Sequence, residues 1–135
     1  MTFELRAIGH VESGLRAGDD APKQADEGAP DAWLVLDPSL GDACADLAAG
    51  DELVVITWLH GAERDVQVVQ PRDDPARPPT GVFSTRSPAR PNPIGLHPVR
   101  VLAVDGTRIH VDALEAFDGT PVVDLKPVLA RRQER

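Results

Sequence analysis

A single cysteine, Cys44, stands in the chain of 135 residues, which excludes an internal disulfide and any cysteine-built zinc cluster. It reads as a small buried or half-buried hydrophobe. No apolar run approaches the roughly 18 consecutive residues that a membrane helix needs. The N-terminus, Met1-Thr-Phe-Glu-Leu-Arg, lacks a charged-then-apolar signal pattern, so a cytoplasmic protein is the expectation. Phosphate-binding Gly-x-x-x-x-Gly-Lys and Gly-x-Gly-x-x-Gly runs are absent, as is a Gly-x-Ser-x-Gly elbow. His10, His60, His97 and His110 are scattered, with no pair at helical metal-ligand spacing, so no metal site is expected.

Acidic residues are missing from one region only. The first 60 residues hold twelve acids against Arg6, Arg16 and Lys23, yet residues 75–104 carry none, while Arg77, Arg86, Arg90 and Arg100 fall within them. A local cationic island in a chain of formal net charge -8 is suited to something anionic or phosphate-bearing.

That island contains the most constrained stretch, Gly81-Val-Phe-Ser-Thr-Arg-Ser-Pro-Ala-Arg-Pro-Asn-Pro-Ile-Gly-Leu96. Pro88, Pro91 and Pro93 each lack a backbone donor and restrain the residue before them, so the stretch reads as a loop. Prolines at this density also reduce the freedom lost on ordering, and a stiff loop can hold a shape. Arg86 and Arg90 supply fork-shaped donors, Asn92 an amide between two prolines, and Gly95 a close approach or sharp exit.

A chain of this length buries one core, and a single domain over residues 1–135 is expected. Residues 3–13 read as a strand and 14–30 as a long loop, of the kind that is often functional. Residues 33–36 form a short strand that stops at Asp37-Pro38, and 44–49 one or two helical turns ended by Gly50. Residues 53–60, Leu-Val-Val-Ile-Thr-Trp-Leu-His, are apolar on both faces and make the clearest central strand. Residues 65–70 are expected to pair back on it across the turn at 61–64. The four prolines of 71–79 make an exposed connector. Asp105-Gly106 is read as a two-residue hairpin turn, pairing Val104 with Thr107 and Leu102 with Ile109. Those four share a core face with Val111, leaving Arg108, His110 and Asp112 outside. Residues 122–125 form a last strand. Short strands, close turn signals and little helix predict an all-β fold, a single small β-barrel with long loops.

The segment Gly81–Gly95 resembles the signature Gly-Val-Phe-(Ala/Ser)-Thr-Arg-Ser-Pro-x-Arg-Pro-Asn-Pro-Ile-Gly of the TsaA-like family, the TrmO tRNA methyltransferases. A second block of that family, Asp-Gly-Thr-Pro-Val-x-Asp-x-Lys-Pro, is matched by Asp118-Gly-Thr-Pro-Val-Val-Asp-Leu-Lys-Pro127. A weaker one, Pro-Arg-Gln, is matched by Pro22-Lys23-Gln24, with lysine for arginine. The resemblance covers nearly the whole chain. It implies a β-barrel that pairs as a homodimer, with the methyl donor S-adenosyl-L-methionine held by loops near the subunit interface. Carried over by position, Pro22, Lys23, Gln24, His60, Gly61, Arg86, Leu96, Asp118, Gly119, Thr120 and Pro121 are expected to bind the donor. Arg86 is expected to clamp its carboxylate, Leu96 to pack on adenine, and Asp118 to accept from a ribose hydroxyl or the adenine amine. Arg90, Asn92 and Arg77 are then expected to face the acceptor.

That acceptor, by resemblance, is the N6 nitrogen of N6-threonylcarbamoyladenosine beside a tRNA anticodon. Family members of the longer type carry an additional C-terminal domain; a chain stopping at Arg135 is expected to be the short form. The poverty of catalytic motifs suits methyl transfer, because an activated donor leaves the protein mainly alignment and electrostatics to supply. No catalytic side chain is assigned. The same donor site acting on a small metabolite, or a non-catalytic S-adenosylmethionine-binding protein, stays open beside the tRNA reading.

Overall fold

A computed structural model describes residues 1–16, 28–70 and 75–129. Among them the chain forms eight strands: β1 (Gly9–Glu12), β2 (Ala32–Leu36), β3 (Glu52–Trp58), β4 (Val68–Val69), β5 (Thr80–Gly81), β6 (Ile94–Asp105), β7 (Arg108–Val111) and β8 (Pro121–Pro127). Among the described residues, helix is confined to three-residue 3-10 turns at Pro38–Leu40, Asp42–Cys44 and Val82–Ser84. None of these is long and apolar enough to cross a membrane. The chain is mostly β, as expected.

Six strands run in the order β1-β2-β7-β6-β3-β8, every neighbouring pair antiparallel, and β8 returns to β1, so the sheet closes on itself as a barrel. Closure pairs the backbone edges that an open sheet would expose. β3 is central as its apolar run predicts: it pairs β6 on one side and β8 on the other. Its side chains alternate, Leu53, Val55 and Thr57 turned inward and Val54, Ile56 and Trp58 outward, with Ile56 opposite Leu96 and Trp58 opposite Ile94. Inside, these meet Val11, Leu34, Leu36, Val99, Val101, Ile109, Val111, Leu114 and Val122. Cys44 joins this core, and burial pushes its thiol up, away from the reactive thiolate.

Several boundaries differ from those the sequence predicts. The first strand is Gly9–Glu12 rather than 3–13; Phe3 and Leu5 are exposed, and pairing begins only at Ile8, whose N–H donates to Val122 O at 2.8 Å. The helical conformation falls before 44–49, because Asp37 accepts from Ser39 N at 2.9 Å and Pro38 presets the first turn. Gly50, with φ of 96°, ends the segment as expected. The expected hairpin of 65–70 with β3 does not form. Both edges of β3 are taken, so Val68–Val69 pairs instead with Thr80–Gly81 in a separate two-stranded ribbon.

The β6–β7 hairpin forms one position along from the predicted register. Asp105 opposes Arg108 and Val104 opposes Ile109, which places Gly106, φ 61°, first in the loop, where a hairpin turn needs positive φ. A bulge between Val101 and Ala103 then shifts the inward phase, so Val99 and Val101 are buried and Leu102 is 38% exposed. Ile109 and Val111 are buried and Arg108 exposed, as the alternation predicts, while His110 is half-buried and stacks on Trp33, centroids 4.7 Å apart. The last three residues of the proline-rich stretch, Ile94 to Leu96, belong to β6 rather than to a loop.

β1 lies close against β2, and a Cβ on Gly9 would stand 2.3 Å from Val35 O and 2.8 Å from Leu36 Cα. Gly9→Ala is therefore expected to cost about 1–3 kcal/mol, the usual range for overpacking. Urea unfolding reads it as a lowered midpoint; an unchanged midpoint would mean that β1 is not held at this distance.

Candidate functional site

Antiparallel pairing on both sides of β3 brings distant segments to one end of the barrel. Thr57, one residue from the end of β3, opposes Gly95 at the start of β6 and Val122 at the start of β8. The exit of β3 (58–61), the end of the proline-rich loop (91–95) and the turn at 118–121 are therefore neighbours. The exit of β1 joins them: Asp118 N donates to Leu15 O at 2.7 Å, Gly119 N to Val11 O at 2.7 Å, and Ser13 N to Asp118 Oδ1 at 3.0 Å. Gly119, φ 85°, takes a conformation that favours glycine in this turn.

The proline-rich loop is braced from within. Arg90 donates through Nη1 to Thr85 O at 3.0 Å and Ser87 O at 2.9 Å, and through Nη2 to Val82 O at 2.8 Å. Arg64 stacks over Trp58 at 5.1 Å and donates to Pro91 O at 2.8 Å and Asn92 Oδ1 at 2.9 Å. A guanidinium fork matching three backbone carbonyls thus holds Arg90 in the loop, while Asn92, its amide oxygen held by Arg64, stays exposed. Arg100 pairs with Glu52 at 3.0 Å. Arg86 is exposed and has no partner among the described residues.

The other predicted positions divide by environment. His60 and Gly61 are exposed just past the end of β3, Thr120 is buried, and Pro121 begins β8. Asp118 is partly engaged, with Oδ1 accepting from Ser13 and Oδ2 3.5 Å from Arg16. Leu96 lies on the outer barrel face, 42% exposed beside the equally exposed Ile94. Arg77 is exposed on the connector, its carbonyl accepting from the Gln70 amide. Pro22, Lys23 and Gln24 lie outside the described residues. No group of side chains able to hold a metal ion occurs among the described residues. The 490 Å³ cavity is at the other end of the barrel, lined by Ile8, Leu36, Cys44, Leu53 and Pro127 among others.

Behind the gathered loops lies a polar cluster that reading the sequence missed. The Thr57 hydroxyl and His97 Nε2 are 2.7 Å apart inside the barrel, and His97 Nδ1 faces Glu115 Oε1 at 3.5 Å. A carboxylate before Nδ1 favours the tautomer with its proton there, so that Nε2 accepts from the hydroxyl. His97 Nδ1 and Glu115 Oε2 are buried with no hydrogen-bond partner. A Cβ on Gly95 would lie 2.5 Å from Thr57 Oγ1 and 2.6 Å from His97 Nε2, so the glycine leaves room for the bond. The available signal was a threonine in the apolar run of β3 and a histidine two residues after a glycine.

The chemistry of the free groups suits an adenosylated, amino-acid-bearing ligand: an unpaired guanidinium for a carboxylate, exposed aliphatic side chains for a flat base, and a polar turn for hydroxyls. Residues 10–133 match the family described as the tRNA-methyltransferase O N-terminal domain. The chain is 41% identical over 127 residues to a probable S-adenosyl-L-methionine-binding protein of Methanothermobacter thermautotrophicus, covering 94% of this chain and 90% of that protein. It is 37% identical over 123 residues to an S-adenosyl-L-methionine-binding protein of Archaeoglobus fulgidus, covering 90% of this chain and 86% of that one. The crystal structure of TrmO from Pseudomonas aeruginosa superposes with a TM-score of 0.75 at 28% identity, covering all of this chain but 60% of that one.

The close approach at Gly95 makes its replacement depend on Thr57. Gly95→Ala is expected to destabilise by about 1–3 kcal/mol in the native background and by less in a Thr57→Ala background, where Oγ1 no longer stands in the way. A thermal double-mutant cycle measures the difference, and equal costs in both backgrounds would refute the contact.

Proposed function

The chain belongs to the tRNA-methyltransferase O N-terminal domain family, and on that premise we propose that it is an S-adenosyl-L-methionine-dependent methyltransferase. The proposed acceptor is the N6 nitrogen of N6-threonylcarbamoyladenosine beside a tRNA anticodon. One observation carries the reading: in a chain of net charge -8, the exposed Arg86 has no partner among the described residues and sits on a loop braced by Arg90 and Arg64.

Bound, S-adenosyl-L-methionine supplies a methyl group already activated on a sulfonium centre. The chain's part is to bind and align. Arg86 receives the carboxylate as a fork, Leu96 and its neighbour Ile94 cover the flat face of adenine, and His60-Gly61 and Asp118-Gly119-Thr120-Pro121 complete the wall. Asp118 holds the exit of β1 through Ser13 and Arg16 while keeping lone pairs for a ribose hydroxyl. The outward apolar strip of Ile56, Trp58, Ile94 and Leu96 suits a second copy of the chain, and a homodimer is part of the proposal. Arg90, Asn92 and Arg77 remain the proposed acceptor-side groups.

A second reading keeps the donor site but gives it a small-metabolite acceptor, which the net charge of -8 favours over a polyanion.

Arg86→Ala is expected to weaken S-adenosyl-L-methionine binding about tenfold or more, the scale of a lost charge-assisted pair, by calorimetry. Unchanged affinity rejects its role. Incubation of the wild-type protein with methyl-labelled donor and total tRNA, with and without threonylcarbamoyl modification, should place label in the modified tRNA alone. Label only in a small-molecule fraction moves the assignment to the second reading, and binding without transfer to either overturns the enzyme.

A further inference from the structure

Phe83 is 84% exposed, and its surroundings show that this is not fraying. It sits in the 3-10 turn Val82–Ser84, beside the buried Val82. Val82 N donates to Gln67 O at 2.9 Å, and Val82 O accepts from Thr85 N, from the Thr85 hydroxyl and from Arg90 Nη2. A backbone fixed on both sides holds the ring in water, where it forgoes the burial that large apolar side chains normally find.

The ring walls a groove of about 410 Å³, lined by Gln67, Gly81, Val82, Ser84 and Pro91 besides Phe83 itself. The phenyl and pyrrolidine rings provide flat apolar surface, while the Gln67 amide and the Ser84 hydroxyl provide donors and acceptors. Gly81 keeps the floor low; a Cβ there would meet only Gln67 O, at 4.0 Å. No acid lines the groove, and five of its six lining residues fall in the acid-free stretch 75–104. Flat apolar walls, a polar edge and surroundings free of carboxylates match a nucleobase.

We propose that this groove is a nucleobase subsite, in which one base of a single-stranded RNA segment stacks on Phe83 and presents its edge to Gln67 and Ser84. The inference rests on the reading that the acceptor is RNA, and extends it by naming where a base is gripped outside the donor site. Stacking tolerates any base, and edge contacts then set preference.

The test uses full-length protein and a fluorescein-labelled anticodon stem-loop RNA, followed by anisotropy, with calorimetry of S-adenosyl-L-methionine alongside. Phe83→Ala should bind the RNA about 5- to 150-fold more weakly, the fold-change that stacking by one base corresponds to. Phe83→Trp should restore affinity, and donor affinity should stay within about twofold in both variants. The subsite is overturned if Phe83→Ala binds RNA as the wild type does, if the loss falls on the donor instead, or if sedimentation shows that the variant has lost a subunit contact. Wild-type protein that binds no RNA would defeat the RNA reading and the subsite together. Wild-type methylation of RNA with an indifferent Phe83→Ala defeats the subsite alone.

Discussion

The bond between the Thr57 hydroxyl and the His97 imidazole, made across Gly95, is the contact that the loop-bearing end of the barrel depends on. Both groups are buried, where an unpaired polar atom costs far more than a paired one contributes. The bond therefore has to be made, and 2.7 Å is available only because residue 95 has no side chain. It joins β3 to β6, and Glu115, facing the other ring nitrogen, adds the segment that leads into the turn at 118–121. Three pieces of chain remote in sequence are thereby set against each other from behind.

In front of that cluster the arginines divide into two kinds. Arg90 and Arg64 turn their planar forks on backbone carbonyls and an amide, and so stiffen the loop that Pro88, Pro91 and Pro93 already restrict. Arg100 meets Glu52 across β3 and β6 at the surface, where an ion pair is worth little to stability but does neutralise a charge. Of the four cations in the acid-free window, Arg86 and Arg77 are the two whose guanidinium groups are exposed and without a partner among the described residues. A small number of oriented charges on a rigid loop recognises an anion differently from a broad basic face.

The exposed apolar groups fall in two places with different physical character. Ile94 and Leu96 stand on a regular strand, beside Trp58 and Ile56, and offer a nearly flat wall. Phe83 stands alone on a turn over a groove with polar edges. The first is a broad wall and the second a single ring, and the braced loop between them connects the two.

The alternation of apolar residues by itself fixes much of the architecture. A β-branched run apolar on both faces had to be a strand with two neighbours, and Asp-Gly between alternating runs had to be a hairpin. The proline-rich stretch read as a loop, although its last three residues begin β6, and the two family blocks were legible as motifs because their residues are contiguous. What reads off a sequence is whatever short-range sterics and periodicity decide. The partner of 68–69, the bulge that turns Leu102 outward, the capture of Arg90 by its own loop and the meeting of Thr57 with His97 and Glu115 were decided only in three dimensions. Each is a competition between groups far apart in the chain for one edge, one cavity or one set of carbonyls, and local preference carries no record of who wins.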